Sequence, residues 1–481
     1  MKKKINILVI LGWLMISHKV FAQEIDFSEL EKYINHEMTA NQIPGLAIGV
    51  VKEGKIIYSK GFGITNAEGN PVTIDSPFVL ASLTKSFTAL AIMQLEAKGR
   101  LSGHDKVTDH LPFFRLKHTD YTDAITINHL LNHTSGIPRI SSYKVNQKNL
   151  SLKEKVERLQ DVEGTGKFNQ FNYANDNYAI LGLIIEATSQ RSYENYIREH
   201  ILSPLNMSST FFNQEEAAAH NMARGHQLYF GFPVESGITY HRANIANGAM
   251  ISSANNMCQY LLSLMSNDSI SGNVLLTHQQ KKQLFETPPA DIYAKGWFIN
   301  NRNGKKFLSH GGILSDYRNF IGFYPEEQLG FVVLINQNSL FLKNRIAQIS
   351  ENMLRFINGE ETVNTSEQKL NMTYWIFISV SLVLGILLVV SIIRQLRSEK
   401  IYQLTSTELR KKKSSVLIHN ILIPAVMIGW FWYMGNYLMI SLHKSQPDMM
   451  IFFQAIFIHG ILSGLISLYK IKQHPTVNKK L

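Results

Sequence analysis

The chain has 481 residues, 45% of them hydrophobic, and a formal net charge of +11. This length and apolar content exclude a disordered or collagen-like chain and allow a large hydrophobic core. The single cysteine, Cys258, excludes an intrachain disulfide and a cysteine-cluster metal site. Residues 1–22, 394–415 and 470–481 carry +4, +5 and +4, which leaves −2 for residues 23–373. Nucleic acid is therefore not an expected partner.

Residues 1–22 have the pattern of a secretory signal peptide. Lysines at the start are followed by an apolar run from Ile5 to Ile16, and Val20-Phe21-Ala22 has a small residue at its last position. This arrangement favours cleavage before Gln23 and predicts that the following domain is exported.

Residues 23–362 mix strand and helix signals. Strand pairs with a turn between them occur near both ends of this region, and helical patterns occupy its middle. Strands at both ends around a helical middle predict an α/β protein with one antiparallel sheet, flanking helices and a separate helical lobe. The predicted elements are strands Leu46–Val51 and Lys55–Ser59, helices Ser82–Lys98, Asn175–Thr188 and Thr277–Phe285, and strands Trp297–Asn300, Lys305–Ser309, Phe320–Tyr324 and Leu329–Ile335.

A linker, 363–373, separates this domain from three uncharged apolar runs. Each run is long enough to cross a bilayer as a helix, and basic segments flank them on alternating sides, which favours membrane spans over a buried bundle. The positive-inside rule places the basic loop and tail in the cytoplasm, so the domain lies outside. Gly460 and Gly464 would let another helix approach closely, which is compatible with an oligomer formed through the spans. The predicted segments are spans 374–393, 416–440 and 449–469, cytoplasmic loop 394–415 and cytoplasmic tail 470–481.

These signals together predict a multi-pass protein of the inner or cytoplasmic membrane. Its catalytic domain is expected to be periplasmic or extracellular, and membrane lipid is an expected partner of the spans.

The first candidate for chemistry is Ser82-Leu83-Thr84-Lys85. Positions i and i+3 share a helix face, which brings the lysine amine near the serine hydroxyl, and free N–H groups at a helix start favour negative charge. The residues that follow predict an amphipathic helix. The same SxxK spacing begins at five serines in the chain, so it is not specific alone.

Two further segments add to this candidate. Tyr173-Ala174-Asn175 precedes a predicted helix, and His310-Gly311-Gly312 ends a predicted strand. A phenol could accept the serine proton if a nearby ammonium lowered its pKa, and an asparagine side chain can donate to a substrate carbonyl and accept from a lysine. Glycines allow the backbone to approach a ligand closely. All three segments suit one acyl-transfer site.

In this ordered set the chain resembles the serine hydrolases of the class C β-lactamase and penicillin-binding protein group. The resemblance covers most of residues 25–355. Its motifs are Ala81-Ser82-Leu83-Thr84-Lys85, the segment Ile127-Asn128-His129-Leu130-Leu131-Asn132-His133-Thr134-Ser135-Gly136, Tyr173-Ala174-Asn175, Pro204-Leu205-Asn206-Met207, Lys295-Gly296-Trp297 and Ser309-His310-Gly311-Gly312.

The resemblance implies a β-lactamase/DD-peptidase-like α/β fold and a set of roles. Ser82 would be the nucleophile, Lys85 and Tyr173 the proton-transfer pair, and Asn175 would orient substrate and lysine. The backbone N–H groups of Ser82 and Ile313 would form the oxyanion hole. No cofactor or metal is implied.

One position departs from the antibiotic-hydrolysing members. They have Lys-Thr-Gly or Lys-Ser-Gly, whose lysine and hydroxyl help to bind a carboxylate, where this chain has His310-Gly311-Gly312. A neutral imidazole followed by glycine offers less charge and no hydroxyl. This departure favours esterases and aminopeptidases of the group.

The layout of signal, hydrolase domain and three spans also resembles membrane-bound prodrug peptidases of the colibactin-maturing type, which remove an acylated D-asparagine cap. Asn175, Asn244 and Leu314 stand where that type would have Ser, His and Asn. The resemblance therefore extends to the architecture more than to the specificity.

Two other candidates favour structural roles. His129 and His133 have a metal-ligand spacing but lack an HExxH pattern, and Cys258 lies among apolar residues typical of a core.

The sequence predicts a membrane-anchored serine hydrolase that uses an acyl-enzyme to cleave a small peptide, amide or ester. A penicillin-binding DD-peptidase or weak β-lactamase is one alternative. A non-catalytic membrane-anchored receptor or cell-wall-binding protein is another, although it would not need the proton-transfer residues.

Overall fold

The computed structural model describes residues 26–117, 120–139, 150–165, 167–266, 275–286, 292–339, 343–362, 372–397, 447–473 and a few positions between 411 and 418. The predicted signal peptide, and most of the predicted linker, cytoplasmic loop, second span and tail, lie outside the described residues.

A seven-stranded antiparallel sheet forms the centre of the domain. Strands from the two ends of the domain meet in it, because β1 pairs with β12, with Leu46 opposite Ile335. The strand order is β2-β1-β12-β11-β10-β9-β8. Its strands are β1 (Gly45–Lys52), β2 (Lys55–Gly63), β8 (Tyr293–Ala294), β9 (Trp297–Arg302), β10 (Lys305–Ile313), β11 (Arg318–Tyr324) and β12 (Leu329–Ile335).

The predicted strand pairs and their turns are confirmed. Glu53 and Gly54 join β1 to β2 with φ values of 49° and 77°, and Asn303 and Gly304 join β9 to β10 with 54° and 79°. Positive φ at both central residues gives the tight hairpin turn whose twist matches that of the strands.

The sheet is buried on both faces, which explains the nearly continuous apolar runs of its central strands. Alternate residues of β1 enter different cores: Leu46 and Ile48 pack with the terminal helices, and Ala47 packs with the helical lobe. The terminal helices are α1 (Ser28–Asn41) and α11 (Lys343–Ile357).

The helical lobe covers the other face of the sheet. Its two longest helices coincide with predicted ones, whereas the 12-residue helix Ala254–Met265 was not predicted. Thr277 and Gln280 form the predicted capping box. Its helices are α2 (Thr84–Ala97), α3 (Val107–His110), α4 (Ile127–Leu131), α5 (Leu152–Glu157), α6 (Asn175–Ser189), α7 (Tyr193–Ile197), α8 (Gln214–Ala218), α9 (Ala254–Met265) and α10 (His278–Leu284).

The expectation of an amphipathic helix after Ser82 was wrong. Every residue of α2 from Thr84 to Leu95 is buried, because the sheet and other helices surround it. This makes α2 the central helix of the domain, and its start is a rigid position.

Two small sheets complete the domain. A three-stranded sheet has the order β3-β7-β4, and β5 and β6 form a separate hairpin. These strands are β3 (Phe78–Val79), β4 (Thr210–Phe211), β5 (His226–Tyr229), β6 (Phe232–Glu235) and β7 (Ile251–Ser252).

The C-terminal part contains two long helices, α12 (Met372–Arg397) and α13 (Pro447–Gln473), at the first and third predicted spans. Within the described residues, one segment, Ile378–Arg397, is long and apolar enough to cross a membrane. The three-span region is therefore not supported as a whole.

The two long helices run side by side. Ile378 packs against the domain core, and the side chain of Gln395, near the other end of α12, donates to Ser463 Oγ of α13 at 2.5 Å. Lys470 contacts the carbonyl of Gln395. Basic residues of both helices thus lie together at the end of α12 that is remote from the domain.

Candidate active site

Ser82 lies on a short 3₁₀ turn, Ala81–Leu83, that leads into α2. Ala81, immediately before it, has a φ of 54°. This left-handed conformation is unfavourable for a residue with a Cβ and is held in place by the surrounding structure. Ser82 is partly exposed, whereas Lys85 on the first turn of α2 is fully buried.

Lys85 is the centre of the hydrogen-bond network. Its Nζ lies 3.0 Å from Ser82 Oγ, 2.9 Å from Asn175 Oδ1 and 2.7 Å from the carbonyl oxygen of Asn247. The structure thus brings the predicted Ser82, Lys85 and Asn175 together. The contact with Asn247 was not predicted, because a backbone acceptor leaves no signature in the sequence.

The surroundings of Lys85 favour its neutral form. Burial is the largest cause that lowers its pKa well below the ordinary value, the charge of Lys155 lowers it further, and Asp176 acts in the opposite direction. A neutral amine has two N–H groups, which Asn175 and Asn247 can accept. Its lone pair then faces the Ser82 hydroxyl.

Tyr173 also lies beside Ser82 and Lys85. The Lys85 Nζ is 5.1 Å from the centre of its ring, and Ser82 is close enough to influence the pKa of its phenol. The condition under which the phenol would accept the serine proton, a pKa lowered by a nearby ammonium, is not met: desolvation raises the pKa of Tyr173, more than Ser82 and the Arg139 charge lower it. Tyr173 is therefore a protonated phenol at neutral pH.

His310 is held inside the protein. It is 2% exposed, its Nδ1 lies 2.8 Å from the Gly311 carbonyl oxygen, and its Nε2 lies 3.2 Å from the Tyr293 hydroxyl. Since a carbonyl can only accept, Nδ1 carries the proton and Nε2 accepts from Tyr293. Burial, followed by the charge of Lys85, lowers the pKa of His310 to about 3. The imidazole is neutral and both of its nitrogens are engaged.

The glycines after His310 have different surroundings. A Cβ at Gly312 would lie 2.4 Å from the Leu80 carbonyl oxygen, whereas one at Gly311 would meet nothing within 4 Å. Glycine at 312 thus lets β10 lie directly against the turn that carries Ser82.

The end of β10 offers an unpaired backbone edge. The Leu314 N–H donates to the Tyr317 carbonyl, so the alternation of an antiparallel ladder turns the N–H of Ile313 away from β11. On its other side, β10 pairs with β9 only as far as Ser309 opposite Phe298. Within the described residues, the Ile313 N–H therefore lies on the side of β10 where β9 no longer pairs, next to the turn that carries Ser82.

His133 supports this site. Its Nδ1 accepts from the Ala174 N–H at 3.3 Å and from the Asn177 side chain at 2.9 Å, and its ring lies 4.2 Å from that of Tyr173. It thus holds the segment that carries Tyr173 and Asn175. Sequence reasoning classed His133 as structural but could not identify the segment that it holds.

The other sequence candidates have structural contacts. His129 contacts Thr126 through Nδ1 and Asn169 through Nε2, and Cys258 is free and fully buried. The described residues contain no group of three or more His, Cys, Asp or Glu side chains that could hold a metal ion.

Comparisons with known proteins agree with this fold. The family model described as Beta-lactamase matches residues 30–350. The chain therefore belongs to the beta-lactamase family, a family of serine acyl-transfer enzymes that includes penicillin-binding protein homologues.

Two curated relatives illustrate the range of similarity. The protein flp of Staphylococcus aureus is 32% identical over 330 residues, which cover 67% of this chain and 65% of that protein. The alignment thus spans just under two thirds of flp. Penicillin-binding protein 4* of Bacillus subtilis is 36% identical over 165 residues, which cover 33% of this chain and 35% of that protein.

Solved structures give the same fold. The octameric penicillin-binding protein homologue from Pyrococcus abyssi has a TM-score of 0.58 and 29% identity, and the match covers 73% of this chain and 80% of that one. FmtA from Staphylococcus aureus has a TM-score of 0.57 at 20% identity, covering 70% and 91%. The latter similarity concerns the fold alone.

Proposed function

We propose that this protein is a serine hydrolase that cleaves an amide or ester through an acyl-enzyme on Ser82. The observation that carries the proposal is the Lys85 amine, which is fully buried and lies 3.0 Å from Ser82 Oγ. A base within hydrogen-bond reach of a partly exposed hydroxyl is the arrangement that nucleophilic catalysis requires. A receptor would gain nothing from it.

In the first half of the proposed reaction, neutral Lys85 takes the Ser82 proton while Ser82 Oγ bonds to the substrate carbonyl carbon. The carbonyl oxygen becomes an oxyanion, which accepts from the N–H groups of Ser82 and Ile313. The bond to the leaving group then breaks, and the Tyr173 phenol protonates the departing nitrogen or oxygen. The Lys85 ammonium returns a proton to the phenolate.

In the second half, water replaces the leaving group. Lys85 takes a proton from the water while the water oxygen bonds to the acyl carbon. Ser82 Oγ then leaves the acyl carbon and takes that proton from the Lys85 ammonium, which returns the neutral amine and the free hydroxyl. The raised pKa of Tyr173 supports a donor role in the first half, since a phenol that holds its proton at neutral pH is a general acid.

For the substrate, we propose a small peptide, amide or ester without an essential carboxylate. The neutral, fully engaged imidazole of His310 supports this class, because it offers no charge to a carboxylate. Losing one charge-assisted hydrogen bond costs about 1.5–3 kcal/mol, or roughly ten- to a hundredfold in rate.

A panel of substrates tests this class. We expect kcat/KM for short-chain esters or N-terminally capped amides to exceed that for a chromogenic cephalosporin. The double variant His310→Lys, Gly311→Thr should move the ratio toward the cephalosporin. A wild-type preference for the cephalosporin would contradict the proposed class.

We also propose that the domain is exported and membrane-anchored. The apolar helix segment Ile378–Arg397 supports an anchor, and the basic ends of α12 and α13, remote from the domain, support a cytoplasmic location for those ends. The signal-like residues 1–22 support export.

Covalent labelling tests the central proposal. Detergent-solubilised protein is treated with a fluorophosphonate probe, and the adduct is located by mass spectrometry. We expect Ser82 to be labelled and Ser82→Ala to lose the label. Ser189→Ala is a matched control, because Ser189 ends α6, 14 residues and therefore about 20 Å from Asn175. No label on folded wild-type protein would remove the catalytic proposal.

A further inference from the structure

A second fully buried lysine lies near the proposed site. Lys155 of α5 is 0% exposed, and its Nζ lies 2.9 Å from Asp176 Oδ1 and 2.7 Å from Asn244 Oδ1. Asp176 is also 0% exposed. Burying two charges is costly, and the pair can be replaced by apolar residues without loss of stability in many proteins. Packing alone therefore does not account for this pair.

The partners of Lys155 are linked directly to the partners of Lys85. Asp176 follows Asn175, whose side chain accepts from Lys85, in the first turn of α6. Asn244 lies in the same short turn as Asn247, whose carbonyl accepts from Lys85. The two lysines are thus held by neighbouring residues of the same two segments.

We infer that Lys155 is a positioning residue whose charge, balanced by Asp176, favours the neutral amine of Lys85 that attack by Ser82 requires. This inference rests on the proposed function.

The physical reason is the repulsion of like charges inside a protein, where the effective dielectric constant is low. Protonating Lys85 would place a second ammonium group near Lys155 in a site with little water. The pKa of Lys85 responds accordingly: after burial, Lys155 is the next largest cause that lowers it, and Asp176 raises it.

Other titratable groups around Lys85 do not supply this control. His133 and His310 face Lys85 from the helical lobe and from β10, and burial lowers the pKa of both, so both are neutral. Tyr173 holds its proton. Among the described residues, the charges that act on the pKa of Lys85 are those of Lys155 and Asp176.

The test is the pH dependence of fluorophosphonate labelling of Ser82 in the full-length protein. Lys155→Met removes the positive charge and should move the apparent pKa of labelling upward by about one unit, which is tenfold in rate below that pKa. Asp176→Asn leaves Lys155 unbalanced and should move the apparent pKa downward. A merely structural pair would slow labelling in both variants without opposite shifts.

Two further variants serve as a substitute and as a control for this test. Asn244→Asp places a carboxylate against Lys155 with almost no change in shape and should shift the profile upward, so it serves if Lys155→Met does not fold. Lys281→Met removes another buried lysine, whose ammonium bonds the Ser263 carbonyl at the end of α9. This control should lower the melting temperature and leave the labelling profile unchanged.

The outcomes separate the two proposals. If wild-type Ser82 is not labelled at any pH, the proposed function fails. If wild-type protein is labelled and the folded Lys155, Asp176 and Asn244 variants share its apparent pKa, the proposed function stands and the inference about Lys155 is overturned.

Discussion

Gly312→Ala should reduce activity by misplacing the Ile313 N–H, the proposed oxyanion-hole donor. The new Cβ would lie 2.4 Å from the Leu80 carbonyl oxygen, 3.1 Å from Asn319 Cβ and 3.3 Å from Ala81 Cβ. An ordinary van der Waals contact begins near 3.4 Å, and the nearest atom belongs to the backbone, so it cannot rotate away. The end of β10 must move by about 1 Å from the turn that carries Ser82.

The size of the expected loss of activity follows from the sensitivity of catalysis to the position of the reacting groups. A displacement of about 1 Å costs on the order of a hundredfold in rate. The overpacking itself costs about 1–3 kcal/mol of the free energy of unfolding. We therefore expect the Gly312→Ala protein to fold. Its rate of Ser82 labelling and its kcat/KM for an ester should both fall roughly a hundredfold.

Gly311→Ala is the matched control. It adds the same methyl group to the same strand one residue earlier, where nothing lies within 4 Å. The assay compares labelling rates of the two variants, with melting temperatures measured in parallel. Equal rates for the two variants, or a wild-type rate for Gly312→Ala, would refute the reasoning.

Three other predictions concern stability, accessibility and topology. Burial raises the pKa of Asp316 from 3.8 to about 6. The protonated Asp316 carboxyl therefore stabilises the folded state fully below pH 3.8, and this stabilisation is lost as the pH rises through 6. The melting temperature of Asp316→Asn should rise relative to that of wild type over this pH range, and a difference that does not change with pH would contradict the prediction. Cys258 is fully buried and its pKa is raised to about 12, so a thiol reagent should modify it only after denaturation, and rapid reaction of native protein would show that the core opens. A reporter active only outside the cytoplasm should work when inserted after Ser366 and fail when fused after Leu481, and the reverse result would place the proposed site in the cytosol.

Local chemistry made much of the fold predictable from sequence. The Asn303-Gly304 and Glu53-Gly54 turns identified their hairpins, because few residues adopt positive φ easily. Thr277 identified the start of α10 through its capping box. The environment of α2 was not predictable in the same way, since a helix with apolar residues on several sides can be partly or completely buried.

Sequence patterns also identified the predicted partners of Ser82. A separation of three residues on a helical turn places Lys85 beside Ser82 wherever that turn is, and the ordered motifs indicated Tyr173 and Asn175. Their protonation states were not predictable. The pKa of Tyr173 depends on desolvation by side chains distant in sequence, so the motif alone does not show whether that pKa is raised or lowered.

By itself the sequence determined the strand pairs, two of the main helices and the proximity of Ser82 and Lys85, because turn geometry, capping and helical spacing act over a few residues. Only the tertiary structure decided that the Asn247 carbonyl accepts from Lys85 and that the charges of Lys155 and Asp176 act on the pKa of Lys85. It also decided that Gly312 packs against the turn that carries Ser82. These contacts join segments separated by up to 232 residues, as between Leu80 and Gly312. Burial and low dielectric then set the charge of each group, and those properties belong to the packed protein.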